Sequence, residues 1–159
     1  MRTIFLPLIA LLAFSCGNEK RLHLVTENFG TLDSCILVND FTIFCYIDSA
    51  DCTVCSMQWL NLWSHRENEL EKLNTGIVLI VNNTDEKAVN DAIEHLQLRF
   101  PVVLDNFSNI KKSNPIFMSK NSVLTINKEK EVIWLGIPIE SEKTWNLFIK
   151  TLRKLSESK

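Results

Sequence analysis

The segment Phe41-Thr-Ile-Phe-Cys-Tyr-Ile47 constrains this chain more than any other. It is a continuous apolar, β-branched and aromatic run with no alternation. A strand with one wet face alternates, whereas one buried on both faces reads as such a run. The chain is therefore expected to build a sheet covered on both sides. Ile77–Val81 repeats the pattern, and Phe100–Leu104 gives a third, shorter strand. Helical patterns lie between them. From Cys52 to about Leu73 the apolar residues Cys55, Trp59, Leu62, Trp63, Leu70 and Leu73 fall near a 3.6-residue period, with Asn74-Thr-Gly76 as the stop. A second helix is capped at Asn83-Thr84, with Glu86 as in a capping box, and carries Ala88, Val89, Ala92, Ile93 and Leu96 on its apolar face. Strands joined through helices pair in parallel.

Residues 106–121 show no clean period and hold Pro115, so they read as a loop with at most one helical turn. Val123–Ile126 and Val132–Leu135 flank the polar turn Asn127–Lys130 and read as a hairpin. Ser141 opens a last helix with the stripe Trp145, Phe148, Ile149, Leu152 and Leu155. Leu22–Val25 and Ser34–Val38 are further short strand candidates. The expected fold is α/β, a mixed central sheet with helices on both faces. At 159 residues and 46% hydrophobic content the chain suits one domain. A net charge of -2 with no basic stripe excludes a nucleic-acid footprint.

The N-terminus has its own grammar. Met1-Arg2 is followed by an apolar run from Ile4 to Phe14, then Ala13-Phe14-Ser15-Cys16. That is the order of a secretory signal, and the run is far short of the roughly 20 residues a spanning helix needs. A cysteine directly after the cut resembles the lipobox of bacterial lipoproteins, with Ala13 where the usual Leu stands; ordinary cleavage to a soluble product is the alternative. The expected organisation is a signal peptide at 1–15, a lipidated tether at 16–31 beginning with Cys16, and a domain at 32–159. The chain is expected outside the cytoplasm, facing the periplasm on a membrane, where disulfides persist.

Five cysteines are too few for a disulfide scaffold and enough for one redox pair or one metal site. Cys52-Thr-Val-Cys55 sits just after the predicted central strand and at the start of a helix. Residues three apart share a helix face, so the two sulfurs can meet. Unpaired N–H groups at the helix start favour thiolate at Cys52. Cys52 is then expected to attack a substrate disulfide and Cys55, shielded one turn in, to resolve the mixed disulfide. Half of a zinc site is the competing reading, but no second C-x-x-C exists, and His65 stands about 15 Å along the helix. A site using Cys35 and Cys45, and a static disulfide, also remain open. Cys45 reads as a small buried hydrophobe; a Cys35–Cys45 bond is the alternative if residues 39–41 turn. Trp59 and Trp63 read as core, and His23, His65 and His95 as surface. Phe117 and Met118 either line a groove near Cys52 or pack their loop. Asp48 and Asp51 are the carboxylates nearest the pair.

From Phe41 onward the chain resembles the thioredoxin-like superfamily, above all its exported TlpA-like and redoxin thiol-disulfide oxidoreductases. The resemblance rests on the strand before Asp51-Cys-Thr-Val-Cys55, the added helix and strand through Phe100–Asp105, and Leu124-Thr-Ile-Asn-Lys-Glu-Lys-Glu-Val-Ile-Trp-Leu-Gly136. It implies a thioredoxin-like fold, Cys52 attacking, Cys55 resolving, protein thiols and disulfides as partners, and no cofactor. One position departs. The family's cis-proline before the first hairpin strand is replaced by Lys120-Asn121-Ser122, and Pro115 lies too early to take its place. Two other classes of function compete: a non-catalytic binding lipoprotein with a structural Cys52–Cys55 bond, and a metal-handling protein.

Overall fold

The computed structural model describes residues 24, 25, 34, 38–48, 53–117 and 121–158. Its sheet has five strands in the order β3-β2-β1-β4-β5. The central strand β1 (Phe41–Asp48) pairs in parallel with β2 (Thr75–Asn82) and antiparallel with β4 (Asn121–Asn127). On the edges lie β3 (Val102–Leu104), parallel to β2, and β5 (Val132–Leu135), antiparallel to β4. With both neighbours in place, every residue from Phe41 to Ile47 is buried.

The odd residues Phe41, Ile43, Cys45 and Ile47 join Ile77, Leu79 and Val81 in one core. The even residues Phe44 and Tyr46 join Val78, Ile80, Leu124 and Ile126 in the other. Helices α1 (Thr53–Met57), α4 (Glu86–His95) and α6 (Glu142–Glu157) cover the first core through Met57, Val89, Ala92, Phe148 and Leu152. Helix α5 (Asn109–Ser113), the 3-10 turn Pro115–Phe117 and Leu24 cover the second. The sheet is thus mixed and covered on both faces, as expected from its strands.

Several local expectations change. The helix expected from Cys52 to Leu73 is broken into α1, a 3-10 turn at Gln58–Leu60, α2 (Asn61–Ser64) and α3 (Glu67–Glu71). Met57, Leu60 and Trp63 are all fully buried. They are three apart, the spacing a 3-10 turn stacks on one side, so the helix tightens to keep all three on the core. Leu62, counted in the stripe, is 54% exposed for the same reason. The stop is Asn74 at φ +47, while Gly76 lies inside β2; asparagine tolerates the left-handed region, and Asn74 Nδ2 donates to Asp40 Oδ2 at 3.0 Å. The cap of α4 is Asp85, whose carboxylate accepts from Ala88 N at 3.0 Å, not Asn83 or Thr84. Asn83 stands one step further out and accepts from Asp85 N at 2.8 Å.

Ser34 and Val38 are helical rather than strand. Both sides of β1 are already occupied by β2 and β4, so a preceding strand cannot pair with it. Leu24 and Val25 form no strand either; Leu24 N donates to Lys130 O at 2.9 Å, and the Asn114 side chain both donates to and accepts from the Val25 backbone. Residues 106–121, expected as loop, contain α5 and a 3-10 turn.

Candidate active site

Three parallel strands end side by side, and each ends on a polar side chain: Asp48 on β1, Asn82 on β2, and Asp105 just past β3. Asp48 accepts from Asn82 Nδ2 and from Lys111 Nζ, both at 3.1 Å. The Lys111 ammonium lies 5.7 Å from the centre of the Tyr46 ring. Tyr46 donates its hydroxyl to Asp105 Oδ2 at 3.1 Å. Asp105 also accepts from the backbone N–H groups of Ile110 at 3.0 Å and Lys111 at 3.2 Å, which holds the start of α5. Burial, and then the charge of Asp105, push the Tyr46 phenol above its ordinary value, so it stays protonated.

Against this polar rim stands α1. Thr53, between the two cysteines of the motif, accepts from Asn83 Nδ2 at 3.0 Å. Because Asn83 Oδ1 is occupied by Asp85 N, the amide NH2 is aimed at Thr53. Four residues on, Met57 is fully buried. These two contacts set the phase of the helix. Val54 and Cys55 consequently face water. Cys55 is disulfide-bonded. Cys52 and Asp51 lie outside the described residues, as do Cys16, Cys35, His23 and Met118.

This corrects the expectation that Cys55 is shielded. The pattern had placed it on the inner stripe with Trp59; the tie to Asn83 and the burial of Met57 turn the other side inward. Cys45 is free and fully buried, so the alternative of a Cys35–Cys45 bond does not form. Burial pushes its thiol well up, leaving it a neutral core residue.

No family model matches the sequence, and no curated protein does. Solved structures do match. A protein of Chlorobium tepidum described as a thiol:disulfide interchange protein, DsbE, superposes with a TM-score of 0.60 at 11% identity, over 72% of this chain and 82% of that one. The thioredoxin domain of a thiol-disulfide oxidoreductase from Bacteroides vulgatus gives 0.57 at 14% identity, over 72% and 81%. Peroxidoxin BcpB from Mycobacterium tuberculosis gives 0.58 at 14%, over 76% and 83%.

The chain has a thioredoxin-like fold.

On this fold α1, which carries Cys55, follows the central strand at the carboxyl end of the sheet, where open α/β sheets hold their sites. No peptide bond among the described residues is cis. Asn121 and Ser122 belong to β4, opposite Ile47 and Tyr46. Pro115 opens the 3-10 turn instead, and Phe117 is buried with its ring stacked on Tyr46 at 5.1 Å. Phe117 thus packs its loop. Trp63 is core, Trp59 packs against it half-buried, and His65 and His95 are exposed. Sequence reasoning named Asp48 but missed Tyr46, Asn83, Asp105 and Lys111. A usable signal was present: Asp or Asn directly at or after the last apolar residue of each parallel strand.

Proposed function

We propose that the chain is an exported thiol-disulfide oxidoreductase whose redox pair is Cys52 and Cys55, held on a membrane through a lipid on Cys16 and facing the periplasm. The observation that carries this reading is a disulfide-bonded, exposed Cys55 on the helix that follows the central strand of a thioredoxin-like fold. Cys52 is the cysteine three positions earlier in the sequence, a spacing at which two sulfurs can meet, so it is the natural partner. The substrates are protein thiols and disulfides. Exchange through a mixed disulfide needs no cofactor, because the electrons pass between sulfurs. Export is supported by the N-terminal pattern of a basic start, an apolar run and small residues before Cys16. Among the described residues no helix is long and apolar enough to cross a membrane.

The test is turnover of a protein disulfide, such as insulin, with glutathione as the final reductant. The wild-type chain is expected to catalyse the exchange, and Cys52→Ser and Cys55→Ser to abolish it. A second reading, a binding lipoprotein with a structural bond, is favoured by Asn121-Ser122 standing where the resembling families keep their proline. It predicts no turnover and a pair that stays oxidised below about -300 mV, as structural disulfides do.

A further inference from the structure

The helix that carries Cys55 has five residues, Thr53–Met57. A piece that short does not stay helical in water on its own. Its shape is therefore set by what holds its two ends. At the carboxyl end Met57 is fully buried. At the amino end Thr53 Oγ1 accepts from Asn83 Nδ2 at 3.0 Å. Asn83 comes from the turn between β2 and α4, 30 residues further along the chain. Its amide is held in turn: Oδ1 accepts from Asp85 N at 2.8 Å, and Asp85 Oδ1 accepts from Ala88 N at 3.0 Å to cap α4. Hydrogen bonds thus run in series from the start of α4 to the start of α1. Asn82, one residue earlier, ties Asp48 on β1 at 3.1 Å. The same turn therefore fixes both the end of the central strand and the start of the helix that follows it.

We infer that Asn83 is a positioning residue for the redox pair: through Thr53 it holds the first turn of α1 in the form the disulfide needs, and so lowers the reduction potential; this rests on the oxidoreductase reading above. Two observations give the sign. The bond from Asn83 to Thr53 is present in a chain whose Cys55 is disulfide-bonded. Opening the disulfide returns freedom to the turn, and the tie then has to order that turn by itself. A contact that is made more easily in one of two states shifts the equilibrium toward that state. Conversely, a turn pinned at Thr53 and at Met57 stays helical, and residues three apart on a helix share a face, so the thiols remain poised to close. Asn83 touches neither the partner nor the electrons; it acts through Thr53 on the balance between disulfide and dithiol.

The experiment equilibrates the full chain in glutathione buffers of fixed thiol-to-disulfide ratio and reads the oxidised and reduced fractions from alkylation at Cys52 and Cys55. In the step measured, the Cys52–Cys55 bond breaks, two glutathione thiols supply two electrons and two protons, and one glutathione disulfide forms. Thr53→Val removes the acceptor and keeps the shape; Asn83→Ala removes the donor. Each is expected to move the equilibrium toward the dithiol about two- to tenfold, the range that one net hydrogen bond covers. Tenfold corresponds to about 30 mV for this two-electron couple. The double variant should move it no further than the larger single change, because both remove the same bond. Thr53→Ser, which keeps the hydroxyl, should match wild type. An equilibrium that the single variants leave unchanged or move toward the disulfide, or that the double variant moves additively, overturns the inference and leaves the oxidoreductase reading standing. A wild-type disulfide that glutathione does not open overturns that reading and the inference with it.

Discussion

Removing the carboxylate of Asp105 should be among the most damaging single changes in this chain. The residue is 3% exposed and accepts three hydrogen bonds, from Tyr46 Oη, Ile110 N and Lys111 N. In Asp105→Ala all three donors lose their acceptor. Tyr46 is fully buried and Ile110 is 2% exposed, so water does not readily replace it. A buried donor left unmet costs about 1–3 kcal/mol. Ser108 lies beside the Tyr46 phenol and the Lys111 N–H is only part-buried, which puts those two near the lower end. The sum is about 3–5 kcal/mol, a large share of the roughly 5–15 kcal/mol that holds a domain together. Asp105→Asn keeps one carbonyl oxygen for Ile110 N and should cost about 1–2 kcal/mol. The assay is urea unfolding of the oxidised protein followed by tryptophan fluorescence. A double-mutant cycle with Tyr46→Phe isolates the pair. Tyr46→Phe should cost about 1 kcal/mol alone and almost nothing in the Asp105→Ala background. A loss below about 1 kcal/mol for Asp105→Ala, or strict additivity of the two changes, would refute the account of this network.

Trp145 is 1% exposed, meets Trp63 edge-on and donates to Glu69 at 2.8 Å, so Trp145→Ala should cost about 3–5 kcal/mol in the same unfolding assay. Tyr46 has a folded-state value raised above its ordinary 10.0; its contribution is therefore complete below pH 10 and is lost as the pH rises above that value, where only the unfolded chain ionises. Tyr46→Phe should flatten that alkaline decline in denaturant midpoints measured across pH. Cys16→Ser should move the protein from the membrane fraction to the soluble one, read by fractionation and by loss of the acyl mass. Wild type found in the soluble fraction would remove the anchor.

Much of this fold could be read from local pattern. The runs Phe41–Ile47 and Ile77–Val81 declared strands buried on both faces because burial on two sides selects apolar, β-branched and aromatic residues at both parities. The hairpin turn and Ser141 were legible because turns and caps are chosen by single residues acting on their own backbone. The Cys-x-x-Cys was legible because its spacing is local. The tertiary structure decided the rest. Tyr46 and Asp105 are 59 residues apart, and nothing in either neighbourhood names the other. The broken helix after Cys55 arises from a demand that Met57, Leu60 and Trp63 reach one core surface together, a demand set by the sheet beneath them. The exposure of Cys55 is of the same kind. A helical repeat says which residues share a side, but which side turns inward depends on the neighbours, and here Asn83 and the core around Met57 choose it.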